Sequence, residues 1–384
     1  MLGSLGVKII MRRAIAVFLL ISLPGTATLA APENLTAAYR QGRMTLAPDP
    51  DFAPGADWAS LFFDKHRLIK VAPDGSIFVA NSRDHNVSKF DADGKLVRTF
   101  GQRGQGPGDL EFPGELSVLD GRTLVVGSNI QGRKISLFGL DGKFQAVLKT
   151  HYPPSRPLAL KNGKIAYIGV SGGKLEIQGD SVFISNINRV VVIDSGTGLE
   201  RELTSFTTTV NEVKDGVVMI ARSAEGDLLV GLSTRPEIIV YGPDGEKKGV
   251  VALTIDRIPV TKKITETYQV RTVTRQGAQK IETAHPMGEF LPYYCDLMVD
   301  SLGNILVFKM SEDPKTAPIV IQVYSPAGKL LCETELERGA FDLPLDKRIH
   351  QRLDFTEQGI FGILPLKGDE LETPRLFRVA VRAQ

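Results

Sequence analysis

The stretch Ile69–Phe100 reads IKVAPDGSIFVANSRDHNVSKFDADGKLVRTF. It holds short β-rich runs whose reversals carry Asp74-Gly75 and Asp93-Gly94. Asp-Gly between alternating apolar runs is a strong hairpin signal, because glycine supplies the backbone conformation that a tight reversal needs. The unit recurs. Leu116–Leu148 repeats it with Asp120-Gly121 and Asp141-Gly142, and the apolar triplets Ile77–Val79 and Leu124–Val126 occupy equivalent places in the two copies.

Three more copies follow with greater drift. Leu158–Phe206 contains Asn162-Gly163, Val217–Leu253 contains Gly226 and Asp244-Gly245, and Leu297–Leu336 contains Gly303 and Gly328. Each reads as one four-stranded meander, which cannot bury both faces alone but can when stacked radially on its neighbours. A period of roughly 40 to 50 residues in all-β sequence indicates a propeller. The C-terminus supplies three strands, Arg352–Thr356, Ile360–Leu364 and Leu376–Val381, and Trp58–Phe63 is the candidate for the missing fourth. Pairing an N-terminal strand with the C-terminal ones closes the ring and removes exposed edges. The expectation is an all-β, six-bladed β-propeller over 57–384.

Two insertions break the period. Ser171–Asn188 lengthens a connection in the third blade, and Asp256–Pro292 separates the fourth from the fifth, both on one face. The second carries Arg271, Arg275, Lys280, Glu282 and His285. It is long enough for a lid or docking hairpin, and equally fits a decorative surface hairpin.

The chain opens differently. Met11-Arg12-Arg13 is a positive head, Ala14–Leu23 is apolar, and Pro24–Ala30 is a small-residue segment, so residues 1–30 read as a secretory signal peptide. Residues 1–10 precede that head and read as an over-extended start. The apolar run is short for a membrane span, and no later stretch approaches the required length. Residues 31–56 are expected to be an extended leader, and the mature protein to be a periplasmic or secreted monomer. Export permits a disulfide between Cys295 and Cys332. Their places on the first and last strands of one blade put them too far apart to bridge, so two unpaired thiols are expected. With 46 Lys+Arg against 44 Asp+Glu, no global basic field argues for nucleic acid.

The segment Phe100–Pro113, FGQRGQGPGDLEFP, joined to the blade APDGSIFVANSRDHNVSKFDADGKLVRTF, resembles the NHL-type six-bladed propeller repeat. The match is good in blades one and two, fair in blade five, and weak elsewhere. The resembled fold includes a metal-dependent amidating lyase and hydrolytic relatives with ligands at the central channel. The RNA-binding role of some intracellular NHL proteins has no support here, because no basic stripe interleaves with aromatics.

Gly101, Gly104, Gly106 and Gly108 do not form a phosphate cradle, since Asp109-Leu110-Glu111 follows where a Lys-Ser/Thr pair and a helix are needed. A tight inter-blade crossing fits better. The histidines His66, His85, His151, His285 and His350 lack metal-helix spacing, no G-x-S-x-G occurs, and Asp91–Gly94 lacks the later ligands of a calcium loop. Aligning the blades on their second strands places Leu68, Glu115, Arg156, Met219, Asp296 and Arg352 at the starts of the inner strands. These converge on the channel mouth, with His66, Arg67 and Tyr294 beside them, and Arg83, His85 and Arg103 in loops of the same face. Convergent polar groups in a concavity read as a ligand site, or as a ring of charges that pair with one another.

Two functions compete. One is a non-enzymatic exported propeller whose loop-rich face binds a protein, peptide or glycan without a cofactor. The other is a propeller enzyme, a lyase or lactonase-type hydrolase, using Ca or Zn at the channel mouth.

Overall fold

The structure, a computed structural model, describes residues 35–52, 67–128, 132–173, 175–178, 181–209, 212–268, 271–276, 279–284, 287–346, 348–368 and 374–383. The signal segment 1–30, the strand expected over Trp58–Phe63, His66 and His285 lie outside them.

Helix α1 (Leu35–Arg40) leads into β1 (Arg43–Pro48). Two antiparallel four-stranded meanders follow. The first is β2 (Arg67–Val71), β3 (Ile77–Asn81), β4 (Asn86–Phe90) and β5 (Leu96–Phe100). The second is β6 (Pro113–Leu119), β7 (Thr123–Ser128), β8 (Lys134–Gly139) and β9 (Phe144–Lys149). The recurring apolar triplets are the second strands, buried on both faces.

The glycine turns form by two routes. At Gly75 (φ 83°) the preceding Asp74 keeps negative φ and its carboxylate accepts from Ser76 N–H at 2.9 Å, a three-residue loop ending in a left-handed glycine. At Asp120-Gly121 both residues take positive φ, and Arg122 N–H closes the turn on Leu119 carbonyl, the two-residue type I′ hairpin.

The next sheet contains β10 (Pro154–Ala159), β11 (Lys164–Ser171), β12 (Leu175–Gln178), β13 (Ser181–Asp194) and β14 (Glu200–Thr209). The first insertion is absorbed here: β11 and β13 run past the blade as a ladder to Ser171↔Ile187, and β12 pairs with the extended part of β13. After α2 (Glu212–Asp215) come β15 (Val218–Arg222), β16 (Leu228–Leu232), β17 (Glu237–Tyr241) and β18 (Lys247–Ala252). The second insertion contains α3 (Lys262–Tyr268) and a hairpin of β19 (Arg271–Gln276) and β20 (Gln279–Ala284).

The last sheet has eight strands. Its first half is β21 (Tyr294–Val299), β22 (Ile305–Lys309), β23 (Ile319–Tyr324) and β24 (Leu330–Glu337). After α4 (Ile349–Arg352), the second half is β25 (Leu353–Thr356), β26 (Gly359–Leu364), β27 (Arg375–Ala383) and β1. The halves join where β1 runs parallel to β24, through Arg43↔Glu335 to Thr45↔Glu337.

The N-terminal strand beside β27 is therefore β1, in antiparallel register from Met44↔Ala383 to Pro48↔Val379. The expected extended leader over 31–56 instead contains a helix and this closing strand. Alternation explains the choice: Met44 and Leu46 point into the core at 2% exposure, while Arg43 reaches Glu335 and Glu337 at the surface.

The architecture is all-β and propeller-like. First strands touch in succession, β2 with β6, β6 with β10, β10 with β15 and β15 with β21, and α4 touches both β21 and β2. Buried apolar side chains fall into clusters shared by meanders consecutive in the chain. A further cluster joins Phe361, Ile363 and Leu376 of the last strands to Ile69, Val79 and Phe90 of the first meander. The outer contacts repeat as well: Arg98 donates to Asp141 carbonyl at 2.8 Å, and Arg201 to Asp244 carbonyl at 2.7 Å. Cys295 on β21 is buried and Cys332 on β24 is partly buried, and the two are unpaired.

Candidate functional site

Glu115, Arg156 and Asp296 are each the third residue of a first strand, and each of these strands slips register there. The irregularities fall at Pro113/Glu115, Ser155/Leu158 and Tyr294/Asp296. A bulge turns a side chain out of the ladder's alternation, and here it turns three toward one point. Arg156 takes φ 53° to do so. The first strands β2 and β15, which carry Leu68 and Met219, keep regular register and bring no charge into this cluster.

Asp296 is fully buried and its oxygens are shared among four donors. Oδ2 accepts from His350 N–H at 2.8 Å and lies 2.8 Å from His350 Nδ1. Oδ1 accepts from Leu297 N–H at 2.9 Å and faces an Arg156 guanidinium nitrogen at 3.4 Å. Burial alone would push the Asp296 carboxyl up, but His350 and Arg156 outweigh it and hold the carboxyl below its ordinary value. Burial and Arg156 push His350 down, Asp296 and Glu115 outweigh them, and the imidazole ends above its ordinary value. Both shifts favour a buried imidazolium–carboxylate pair.

Glu115 completes the cluster. Its Oε1 accepts from Gln351 Nε2 at 2.8 Å and stands 3.9 Å from His350 Nε2, which has no hydrogen-bond partner among the described residues. Two residues of the short α4 thus tie β21 to β6. Behind the cluster lies a cavity of about 400 Å³ walled by the first strands. On its wall Lys70 pairs with Asp354 at 2.7 Å, and Asp354 also accepts from Val71 N–H at 2.7 Å.

The other expected site residues are dispersed. Tyr294 is buried in the core between β15–β18 and the following strands, its hydroxyl against Gly231, where an added Cβ would come within 2.2 Å of it. Arg352 points away from the cavity and grips Asp346 through two bonds of 2.7 and 3.0 Å. Arg67 opens β2 opposite Asn81. Arg83 and Arg103 are exposed.

His85 is a structural residue of the glycine-rich crossing. It is buried at φ 56°, its Nδ1 accepts from Phe112 N–H at 3.0 Å, and its ring meets Phe112 edge-on. The crossing itself is capped by Asp109, which accepts from Gly106 N–H at 2.9 Å.

Sequence reasoning counted His350 only among five scattered histidines and missed Gln351, Lys70 and Asp354. Arg352, expected at the strand start, ends α4 instead, and that single turn moves the cavity-lining role two residues back to His350. The donor set does not fit a divalent cation: Asp296 spends its oxygens on protein donors and Arg156 puts a fixed positive charge beside them. Among the described residues no group of three or more His, Cys, Asp or Glu is arranged to hold a metal.

A second concavity, of about 660 Å³, lies at the root of the long insertion. Its two legs are stitched together by Val260 N–H to Glu289 carbonyl and Leu291 N–H to Ile258 carbonyl, 2.8 and 2.9 Å. Arg257 lies over the rings of Phe290 and Tyr293. Opposite, residues 310–318 form a wall held by Tyr268 O–H to Ser311 carbonyl at 2.6 Å and by Arg338, whose buried guanidinium donates to the carbonyls of Pro314, Ala317 and Leu343. The lining includes the half-buried Met310 and Val320, and the rim carries the exposed Pro318, Asp256, Lys263 and Glu312.

Among the described residues no helix is long and apolar enough to cross a membrane. No family model matches the chain, and no curated protein matches it. Solved structures are similar at low identity. One is a Bacteroides fragilis protein assigned as exported, 14% identical with TM-score 0.49 over 88% of this chain and 95% of that one. Another is a member of the DUF4221 family from Bacteroides vulgatus, 10% identical with TM-score 0.47 over 90% and 100%. A third is a gluconolactonase of Xanthomonas campestris, 13% identical with TM-score 0.45 over 88% and 97%.

Proposed function

We propose that the chain is an exported six-bladed propeller of NHL-like type, released after Ala30, that binds a peptide segment in the groove at the root of the 256–292 insertion and performs no chemistry there. Six blades follow from reading the eight-stranded sheet as two meanders bridged by β1 and β24. The observation that carries the binding reading is the contrast between the two concavities. Around Asp296, where the axial cavity opens at the channel mouth, the charges satisfy one another, which leaves little valence for a ligand at that end. The insertion groove has braced walls, half-buried apolar side chains in its lining and, on its rim, charges of both signs that no ion pair holds among the described residues, the features that let an extended peptide gain contacts without first ordering the site. A peptide suits it better than a glycan, because the aromatic face of Tyr293 is already covered by Arg257.

The test is selection from a random peptide library on the mature chain, repeated with Met310→Arg and with residues 260–289 replaced by a short Gly-Ser linker. Selected peptides should lose binding to both variants. Equal binding to all three proteins would reject the groove. An enzymatic reading draws on the unpartnered His350 Nε2, and it requires a turnover that His350→Ala abolishes while leaving peptide binding intact.

A further inference from the structure

Arg222 closes β15 at the end of the cavity opposite Asp296. It is partly buried, and among the described residues no ion pair or hydrogen bond reaches its guanidinium. Burial pushes its pKa down, and the Asp120 carboxylate only partly offsets this. Arginine nevertheless stays protonated, so the cavity wall contains a cation with its donors unspent.

A second unsatisfied group lines the same end. Ser301 follows β21 by two residues, and its Oγ is buried with no hydrogen-bond partner. The two positions are neighbours: β15 touches β21, and a Cβ added to Gly303 would lie 2.8 Å from that of Ala224, so the turns after these strands are packed together. Ser223 follows Arg222 in the cavity lining, its Oγ accepting from Asp227 N–H at 3.1 Å. The remaining charges are committed or peripheral. Lys70 is held by Asp354, Asp300 accepts from Asn304 and Leu302, and Glu357 is exposed at the rim.

We propose that this end of the cavity is a binding site for a small oxyanion, a carboxylate or a tetrahedral phosphate-like group, held by the Arg222 guanidinium fork with Ser301 Oγ as a further donor. Planar guanidinium matches both anions through paired N–H bonds, and burial makes each bond stronger than at the surface. The cavity volume admits a small organic acid rather than a polymer. The site stands on the opposite face from the peptide groove and does not depend on it.

Isothermal titration of the mature chain with succinate and, separately, with sulfate tests this, with Arg222→Gln, Arg222→Lys and Ser301→Ala as variants and thermal unfolding as the check on folding. Saturable binding of at least one probe is expected. Arg222→Gln should weaken it by about 10- to 100-fold, the loss of a charge-assisted pair, and Ser301→Ala by about tenfold. Arg222→Lys keeps the charge but not the fork and should fall between. Succinate alone would assign a carboxylate, sulfate alone a tetrahedral anion. Absence of saturable binding of either probe at millimolar concentration, or binding by Arg222→Gln within twofold of the parent, would overturn the proposal. Should Arg222→Gln fail to fold, the same twofold criterion applied to Arg222→Lys and Ser301→Ala decides it.

Discussion

Replacing Asp296 by alanine removes the acceptor on which α4, β10 and β21 converge. It strands the His350 backbone N–H and imidazole and the Arg156 guanidinium in a buried place. Removing one partner of a buried ion pair costs about 3–5 kcal/mol, because the charge left behind is neither hydrated nor compensated. An unfolding entropy of about 2 cal/mol/K per residue makes each kcal/mol worth roughly 1.5 °C in a domain of this length, so the midpoint should fall by about 4–7 °C. The decisive measurement is a double-mutant cycle with His350→Ala by urea unfolding. His350→Ala alone costs less, since Asp296 keeps Arg156 and Leu297 N–H, and the two residues should show a coupling of about 1–3 kcal/mol. A cost below about 1 kcal/mol for Asp296→Ala, or a coupling under about 0.5 kcal/mol, would refute the view that this cluster fastens the ring.

His350 should also make stability depend on pH. Its folded pKa lies above its unfolded value, so its contribution is complete below about pH 6.5 and is lost as pH rises through the folded value. Unfolding midpoints from pH 5 to 9 should fall more steeply at the alkaline end for the parent than for His350→Gln, and parallel profiles would count against a charged imidazole. At the glycine crossing, Gly101→Ala should cost clearly more than Gly42→Ala. Both have φ near 80°, worth about 1–2 kcal/mol to a side chain, but a Cβ at Gly101 meets Leu110 at 2.5 Å and one at Gly42 meets nothing. Equal losses in equilibrium unfolding would show that the contact at Leu110 relaxes freely.

Much of the repeat was legible because it is written in turn chemistry. Asp74-Gly75, Asp120-Gly121 and Asn162-Gly163 need left-handed residues wherever they stand, and the second strands, buried on both faces, read as continuous apolar runs. The closing strand was not legible. RMTLAP offers only Met44 and Leu46 as inward side chains, a weaker periodic signal than the aromatic run Trp58–Phe63. Counting along blades located Glu115, Arg156 and Asp296, although the bulges that turn them together leave no mark in composition. His350 was out of reach for a different reason. A helix of one turn has little local propensity, and α4 exists because Asp296 and Glu115 hold it from other strands.

These residues share a location that accounts for their investment in buried charge. Elsewhere, consecutive first strands touch directly, but between β21 and β25 the contact passes through α4. The apolar side chains Ile349 and Leu353 share one buried cluster there with Cys295 and Met298, and Asp296 with His350 adds directional bonds near the axis. At the rim, β1 pairs with β27 and bridges to β24, with Arg378 bound to Asp49 at 2.6 Å where β1 ends. The axial fastening sits at the edge strand β21 and the outer one in the middle of the same sheet, and the outer one joins residues from nearly the whole length of the chain. Such non-local pairing is slow to form, since its loop-closure cost precedes its reward. The axial cluster is non-local as well, with Gln351 and Glu115 236 residues apart, and closure cost grows only slowly with separation, so both fastenings report closure of the ring rather than local folding.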